Sequence, residues 1–475
     1  MRHVPILRSG RPYRSLDLVR IPDVRTGEPV AEVSQANRGL IARDLSDPAR
    51  LASAVRERSV SELLSIGRKA AVLFSRETLS VDGDDSQSPQ DYLESLSATT
   101  GMPLSLCRAN MEKIRTVLDR MPAVLAGWTR GLDTALLDSG WGVQDGRRLS
   151  YRPEADLLGA VLPNNSPGVH ALWIPALALK YPLVLRPGRL EPWTPLRVAR
   201  ALMAAGAPPE AFGFYPGDHG GAVEVLLRCG RSMLFGDAAT LRPWTDDPRV
   251  QLHGPGWSKV VLDEDAASRW PDHLEMMTAS IADNGGRSCL NASGVWTAAS
   301  GLEIAEGLAR RLVSLEARAL DDPGAGLAAF PDPRQAERLS SHIDALLQVP
   351  GAEDVSARVR GSGRVSKAGG CTFLLPTIIR CHADHPLARC EYLFPFAAVV
   401  EVPEAELARR LGPTLVATVL AREGPARAAL AACPDIDRLN MGPIPTSRVE
   451  WDQPHEGNLF DHLYRRRAVQ VHDAA

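Results

Sequence analysis

Lysine is nearly missing from this chain. Of 54 basic residues only five are Lys (Lys69, Lys113, Lys180, Lys259 and Lys367), and the other 49 are Arg. Together with 39 Gly and 37 Pro, that bias marks a GC-rich coding sequence and carries no functional message. Net charge is scarce as well. The 57 acidic residues leave a formal charge of -3, which gives no electrostatic reason to expect nucleic acid as a partner. Long apolar runs are missing. No stretch of about 18 uninterrupted apolar residues occurs, so no transmembrane helix and no membrane partner are expected. Met1 to Arg20 is polar and dotted with Arg, and lacks the apolar run of a signal peptide. The seven cysteines are odd in number and scattered. They read as reduced thiols of a cytoplasmic protein.

What is present is an ordinary globular balance, with 44% hydrophobic residues over 475 positions. That is enough apolar surface to exclude whole-chain disorder, and enough length for two or three domains. Residues 1–150 read as a helical region, with apolar residues at helical spacing in 59–75, 89–106 and 110–125. Residues 141–151 read as a short β-hairpin. From Asp156 short apolar runs alternate with helix-length segments. Strands are expected at 157–162, 183–185, 212–215, 232–235, 250–253 and 260–262, with helices at 169–180, 194–205 and 221–228 between them. Such alternation implies right-handed crossovers and a largely parallel sheet. A second α/β pattern runs from 264 to 438. The expected division is therefore 1–150, 151–263, 264–438 and a C-terminal segment, 439–475, that returns to the first sheet. Ligands bind such sheets at the carboxyl ends of strands, so the strand-end turns are where function is sought.

Cys289 follows a Gly-rich turn, with Arg287 nearby, and thiolates form where a cation or backbone dipoles stabilise negative charge. A lone Cys is more often a small buried hydrophobe. Five segments in order change that weighting: Pro163-Asn164-Asn165-Ser166-Pro167, Tyr181 through Arg189, Ala205 through Gly217, Asn284-Gly285-Gly286-Arg287-Ser288-Cys289, and Arg389-Cys390-Glu391-Tyr392-Leu393-Phe394-Pro395. Together they resemble the aldehyde dehydrogenase superfamily over roughly Leu157 to Arg467. The fourth is similar to that family's Asn-x-Gly-Gln-x-Cys, and the last to its Arg-Glu-Glu-x-Phe-Gly-Pro.

The resemblance implies a doubly wound α/β cofactor domain, a second α/β catalytic domain and a homodimer or homotetramer. It implies that Cys289 attacks a carbonyl carbon and carries a thioester. The Asn165 amide and the Cys289 backbone N–H would donate to the oxyanion. Glu391 would hold the nicotinamide ribose hydroxyls. Gly217 and Gly236 would border the dinucleotide at strand-end turns. Where the family has Lys and then Glu three residues later, Arg186 and Arg189 stand here. Two guanidiniums can grip a phosphate, so NADP is expected ahead of NAD.

Departures from the pattern bear on mechanism. The family's general-base Glu is replaced by Leu252 or His253. Glu456 is a candidate substitute base. Asp237 stands where a hydroxyl would face the pyrophosphate, and Phe394 replaces a Gly; both put cofactor affinity in question. The cluster Cys381, His382, His385 and Cys390 fits no common zinc spacing, and no metal is expected. Family members that pass the acyl group to coenzyme A also lack the Glu, because a thiol ionises without much help. The sequence therefore leans to reversible acyl-thioester reduction, with coenzyme A as co-substrate, as in CoA-acylating aldehyde dehydrogenases and acyl-CoA reductases. Two alternatives stay open: hydrolytic oxidation of an aldehyde to a free acid, and a catalytically silent binding or assembly subunit. The small-molecule partner is an aldehyde or an acyl thioester.

Overall fold

The computed structural model describes residues 1–83 and 85–472. Two seven-stranded sheets organise it. In the first the spatial order is Val250–His253, Gly230–Phe235, Leu157–Val161, Leu183–Arg186, Phe212–Phe214, Ile6–Arg8 and Arg11–Tyr13. The first five strands are parallel. The last two form an antiparallel hairpin on the edge. Apolar layers cover both faces. Along the central strand Leu158 and Ala160 pack into one cluster, and Leu157 and Val161 into the other, as alternation of side chains along a strand requires. The chain steps outward from Leu157–Val161 to Leu183–Arg186 and Phe212–Phe214, then returns to Gly230–Phe235 on the opposite side. That reversal opens a crevice at the carboxyl ends of the strands.

The second sheet runs Ala352–Asp354, Thr377–Cys381, Phe396–Glu401, Ala292–Thr297, Ser258–Leu262, Thr414–Leu420 and Ile436–Met441. All its pairs are parallel except the first. It too is covered on both faces, with Val261 and Trp296 on one side and Val260 and Val295 on the other. The fold is thus the doubly wound α/β arrangement expected, twice over.

The boundaries differ from those read in the sequence. Ser258–Leu262, expected to close the first sheet, pairs with Ala292–Thr297 and Thr414–Leu420 in the second. The change of sheet falls in the Gly254-Pro255-Gly256-Trp257 turn, not after residue 263. A cut after residue 438 would divide the strand Ile436–Met441. Residues 1–150 are not only helical. Arg2–Val4, Pro29–Ser34 and Leu18–Pro22 form a three-stranded sheet. The expected helices at 89–106 and 110–125 are cut differently, as Pro89–Thr100, Leu104–Asp119 and Met121–Trp128. The first ends at Gly101 with φ 73°, and Pro103 follows. The helix expected over 169–180 is two short 3-10 turns, Pro167–Leu172 and Ile174–Ala176, because Pro175 lacks the N–H that a continuous helix needs. The hairpin is present as Trp141–Gln144 with Arg147–Pro153, and Tyr464–Arg467 joins it as a third strand. Arg465, Arg466 and Arg467 are exposed there. No helix among the described residues is long and apolar enough to cross a membrane.

Candidate active site

The crevice of the first sheet opens into a cavity of about 640 Å³. Its wall includes Asn165, Arg186, Gly236, Cys289, Glu391 and Glu456. Six of the eight residues singled out in the sequence therefore meet in one place. Arg189 and Gly217 do not line it. Arg189 is exposed beyond the strand end. Gly217 acts from behind, its carbonyl accepting a hydrogen bond of 2.8 Å from Arg186 Nη2.

Cys289 is positioned from both halves of the chain. The helix Leu274–Ala282 ends in Asp283, and the next three residues, Asn284, Gly285 and Gly286, are left-handed with φ of 56°, 66° and 70°. Asn284 is the costly member, since L-residues seldom adopt that region. Its side chain is fixed at both ends: Asn110 Nδ2 donates to Asn284 Oδ1 at 2.6 Å, and Asn284 Nδ2 donates to Ser166 Oγ at 3.0 Å. Asn165 Nδ2 donates to the Arg287 carbonyl at 3.1 Å, two residues before Cys289, and both residues line the cavity. On the other side, a Cβ on Gly256 would collide with the Cys289 carbonyl oxygen. That oxygen accepts a 2.8 Å bond from Ser258 Oγ. Only a residue without a side chain lets the interdomain turn pass so close.

The thiol is part-buried and unpaired. Burial pushes its pKa up, and the Glu456 and Glu391 carboxylates push it further; the Ser288 hydroxyl and the cysteine's own amide pull weakly the other way. Arg287 does not supply the stabilising cation expected from its place in sequence. Its guanidinium turns to the Ala329 carbonyl and lies 5.3 Å from the Phe330 ring. These surroundings favour the protonated thiol.

A base is present. His253 ends a strand of the first sheet, and its ring stacks on Phe235 at 4.4 Å and 12°. Its Nδ1 is hydrogen-bonded to a carboxylate oxygen of Glu456. Its Nε2 is buried and has no partner. Gln251 Nε2 donates to the Glu456 backbone carbonyl and fixes that segment. Both His253 and Glu456 line the cavity with Cys289. Leu252, the other residue that could have held the family's base position, is part-buried among apolar neighbours. Beside the pair, His455 Nδ1 accepts from Arg438 Nη1 at 2.9 Å. Burial, Arg438 and His253 hold its pKa well below the usual value, so it stays neutral.

Glu391 accepts from the backbone N–H groups of Gly256 at 3.2 Å and Trp257 at 2.5 Å. Burial nevertheless raises its pKa to about 7, against the pull of those amides and of Lys259. Lys259 is itself lowered to about 7 by burial. It donates to the Trp257 and Pro413 carbonyls and to Thr414 Oγ1.

The two departures lie in different places. Asp237 accepts from Thr240 N at 2.8 Å and Thr240 Oγ1 at 2.7 Å. Through Oδ1 it caps the following turn, which lowers its pKa, while the residue still lines the cavity. Phe394 is buried, packed with Tyr392 and Phe396, and is not part of the wall. Of the cysteine-histidine cluster, His385 spends Nδ1 on the Leu387 amide and Nε2 on the Val349 carbonyl. His253 was the residue least secured by sequence, because its role depended on how Gly254-Pro255-Gly256 is aligned. Arg186 leaves one donor unmet, since Nε is buried without a partner at the end of Leu183–Arg186.

Residues 25–411 match the model of the aldehyde dehydrogenase family. A betaine aldehyde dehydrogenase of Cereibacter sphaeroides is 26% identical over 431 residues, covering 84% of this chain and 80% of that protein. A mitochondrial aldehyde dehydrogenase of Leishmania tarentolae is 24% identical over 270 residues, covering 54% of this chain and 52% of its own length. Among solved structures, an NADP-dependent enzyme of E. coli superposes with a TM-score of 0.77 at 17% identity, over 98% of both chains. An indole-3-acetaldehyde dehydrogenase of P. syringae, solved with NAD+ and IAA, gives a TM-score of 0.77 at 15% identity, over 98% of this chain and 95% of that one. At such identities the structural likeness speaks for the fold.

Proposed function

This chain belongs to the aldehyde dehydrogenase family and is an oxidoreductase acting on aldehydes; on that premise we propose that it oxidises an aldehyde to a carboxylic acid through a thioester on Cys289, with the His253–Glu456 pair as base and NADP as oxidant. The observation that carries this reading is the hydrogen-bonded imidazole and carboxylate in the wall of the cysteine's own cavity.

The roles follow from chemistry. The Cys289 thiol is protonated at rest, and the unpartnered His253 Nε2 is the acceptor for its proton. Glu456 on Nδ1 fixes the tautomer and stabilises the imidazolium that results. Sulfur adds to the aldehyde carbon. The oxygen that gains charge is met by the free N–H of the Asn165 amide and the Cys289 backbone N–H. Bound NADP supplies the two-electron oxidation that makes the adduct a thioester. His253 releases that first proton to solvent and, neutral again, takes one from water, which it returns to the sulfur when the acyl group leaves. The hydroxide adds to the thioester carbon, the C–S bond breaks, and the acid leaves with the thiol restored.

A nicotinamide dinucleotide suits the residues present. The crevice lies at strand ends, Asp237 caps the turn after its strand, and Arg186, in the cavity wall, keeps Nε without a partner. Arg186 would hold a phosphate of the dinucleotide, Gly236 would border it, and Glu391 would face its nicotinamide end. Arg189 supports the preference for NADP only weakly, because it is exposed outside the wall.

A second reading keeps coenzyme A as the acyl acceptor. The loss of the family's strand-end carboxylate favours it, since a thiol needs less help than water. A homodimer or homotetramer in a cytoplasm completes the proposal. The exposed Trp141 and Val143 on the edge strand of the small sheet and the seven unpaired cysteines support it. The test is NADPH formation from an aldehyde panel, with and without coenzyme A. Turnover without thiol, abolished in Cys289→Ser, supports the hydrolytic reading. Turnover only with thiol supports the second, and none with any aldehyde points to the silent form.

A further inference from the structure

Arg287 stands two residues before the nucleophile and has no part in the steps above. It is 5% exposed and lines the Cys289 cavity. Its one side-chain hydrogen bond goes from Nη2 to the Ala329 carbonyl. The Phe330 ring faces the guanidinium. Nε is buried and unpartnered. No carboxylate answers the charge. The three in the cavity wall are committed elsewhere: Asp237 to Thr240, Glu391 to Gly256 and Trp257, Glu456 to His253. Burial alone draws the Arg287 pKa down to about 10. A buried, unpaired guanidinium is expensive unless an anion comes to it. Besides Phe330, the wall of the same cavity includes Pro331, Leu393 and Gln335, a mostly apolar set that would follow a carbon chain.

Resting on the reading of Cys289 as nucleophile, we propose that Arg287 is a substrate-binding residue and that the aldehyde it serves carries a carboxylate at its far end. The free edge of the guanidinium offers donors matched to two coplanar oxygens. The apolar wall would cover the methylenes between the two ends. The same charge disfavours a cationic aldehyde, so the substrate class differs from that named for the betaine aldehyde dehydrogenase relative.

The test compares four aldehydes of equal chain length, ending in carboxylate, methyl ester, trimethylammonium or phosphate. In the native protein kcat/KM for the carboxylate should exceed that for the ester by about 10²-fold, the scale of one desolvated ion pair, and the trimethylammonium aldehyde should be poorest. In Arg287→Met the carboxylate-to-ester ratio should collapse towards 1. Arg287→Lys, which keeps charge but loses the fork, should fall between, and it serves if the Met variant does not fold. A native ratio near 1, or an unchanged ratio in either variant, overturns the proposal. A strong preference for the phosphate replaces the carboxylate and overturns that part of it. Calorimetry of glutarate and adipate with Cys289→Ala protein reads the pocket without turnover. Binding there that is lost on adding Arg287→Met upholds the anion pocket even if no aldehyde is oxidised. Absence of binding beside active turnover of the ester overturns it while leaving the oxidation intact.

Discussion

Glu456 meets His253 through a side-chain hydrogen bond in the wall of the cavity that Cys289 lines, although the two residues are 203 positions apart. The family's base is a single carboxylate at a strand end. Here the strand end carries an imidazole, and the carboxylate arrives from the C-terminal segment. On the proposed reading the base is divided between two distant pieces of chain.

The first prediction concerns that division. Glu456→Gln and His253→Phe should each lower kcat for acid formation by about 10²- to 10⁴-fold, the usual contribution of a positioned base. His253→Phe preserves the stack on Phe235, so folding should survive. The double variant should be little worse than the worse single one, because residues that act as a unit are not additive. Steady-state rates of the three variants check this. Additive losses would mean that the two act separately.

Dinucleotide selection should depend on one arginine. Arg186→Leu removes the donor held beside the Gly217 carbonyl and should weaken NADP binding by about 10- to 100-fold, the scale of a hydrogen bond to a charged group. NAD should be less affected. Arg189→Glu lies outside the cavity wall and should change either affinity less than about 3-fold. Fluorescence titration with both dinucleotides decides; a large effect at Arg189 with none at Arg186 reverses the assignment.

A pH signature follows from Glu391. Its carboxyl titrates at about 7 in the folded chain and at 4.5 in the reference state, so the folded state binds the extra proton. Stability from this group is therefore full below about 4.5 and is lost as pH rises towards 7, by an amount on the order of 2–3 kcal/mol. Lys259, lowered from 10.5 to about 7, acts in the next window with the opposite slope, and stability rises as pH climbs from 7 to 10.5. Glu391→Gln is expected to cost stability overall by spoiling one backbone acceptor. Its unfolding free energy should nonetheless fall less steeply than the native protein's between pH 4.5 and 7. Denaturant melts across that window give the two slopes, and equal slopes would refute the assignment.

Gly256 offers a structural check. Gly256→Ala forces a methyl into the Cys289 carbonyl. Overpacking of this kind costs roughly 1–3 kcal/mol. The shift of the nucleophile should also reduce turnover by at least about 10²-fold, the scale of a misplaced reacting group. Retained native rates with a lowered Tm would show that the turn does not fix the cysteine.

Much of this was legible in the residues, for identifiable reasons. The strands at 157–161 and 230–235 and the run 183–185 carry apolar stretches (157–161, 183–185 and 233–235) because both faces of the sheet are covered, and such runs stand out against polar turns. Asn165, Cys289 and Glu391 sit in segments whose order and spacing carry the resemblance. The N-terminal strands escaped notice because most have only three to five residues, and all five between Arg2 and Ser34 contain or adjoin Pro. Residues 169–180 have helical composition, and the break at Pro175 is a local backbone effect that composition hides. The passage of Ser258–Leu262 into the second sheet is decided by tertiary pairing, to which periodicity is blind. Glu456 could be guessed as a candidate, but its partner could not, since nothing local links a C-terminal loop to a strand 203 residues earlier. Arg287 misled for a similar reason. Nearness in sequence suggested a partner for the thiolate, while its side chain turns to Phe330.

The most direct test of the account is a product analysis in ¹⁸O-labelled water. Native protein, given an aldehyde and NADP without any added thiol, should release acid carrying one labelled oxygen per turnover. Glu456→Gln protein quenched early should hold the acyl group on Cys289 by intact mass and peptide mapping. Acid that appears only after coenzyme A is added, with no difference between native and Glu456→Gln protein, would contradict the central claim.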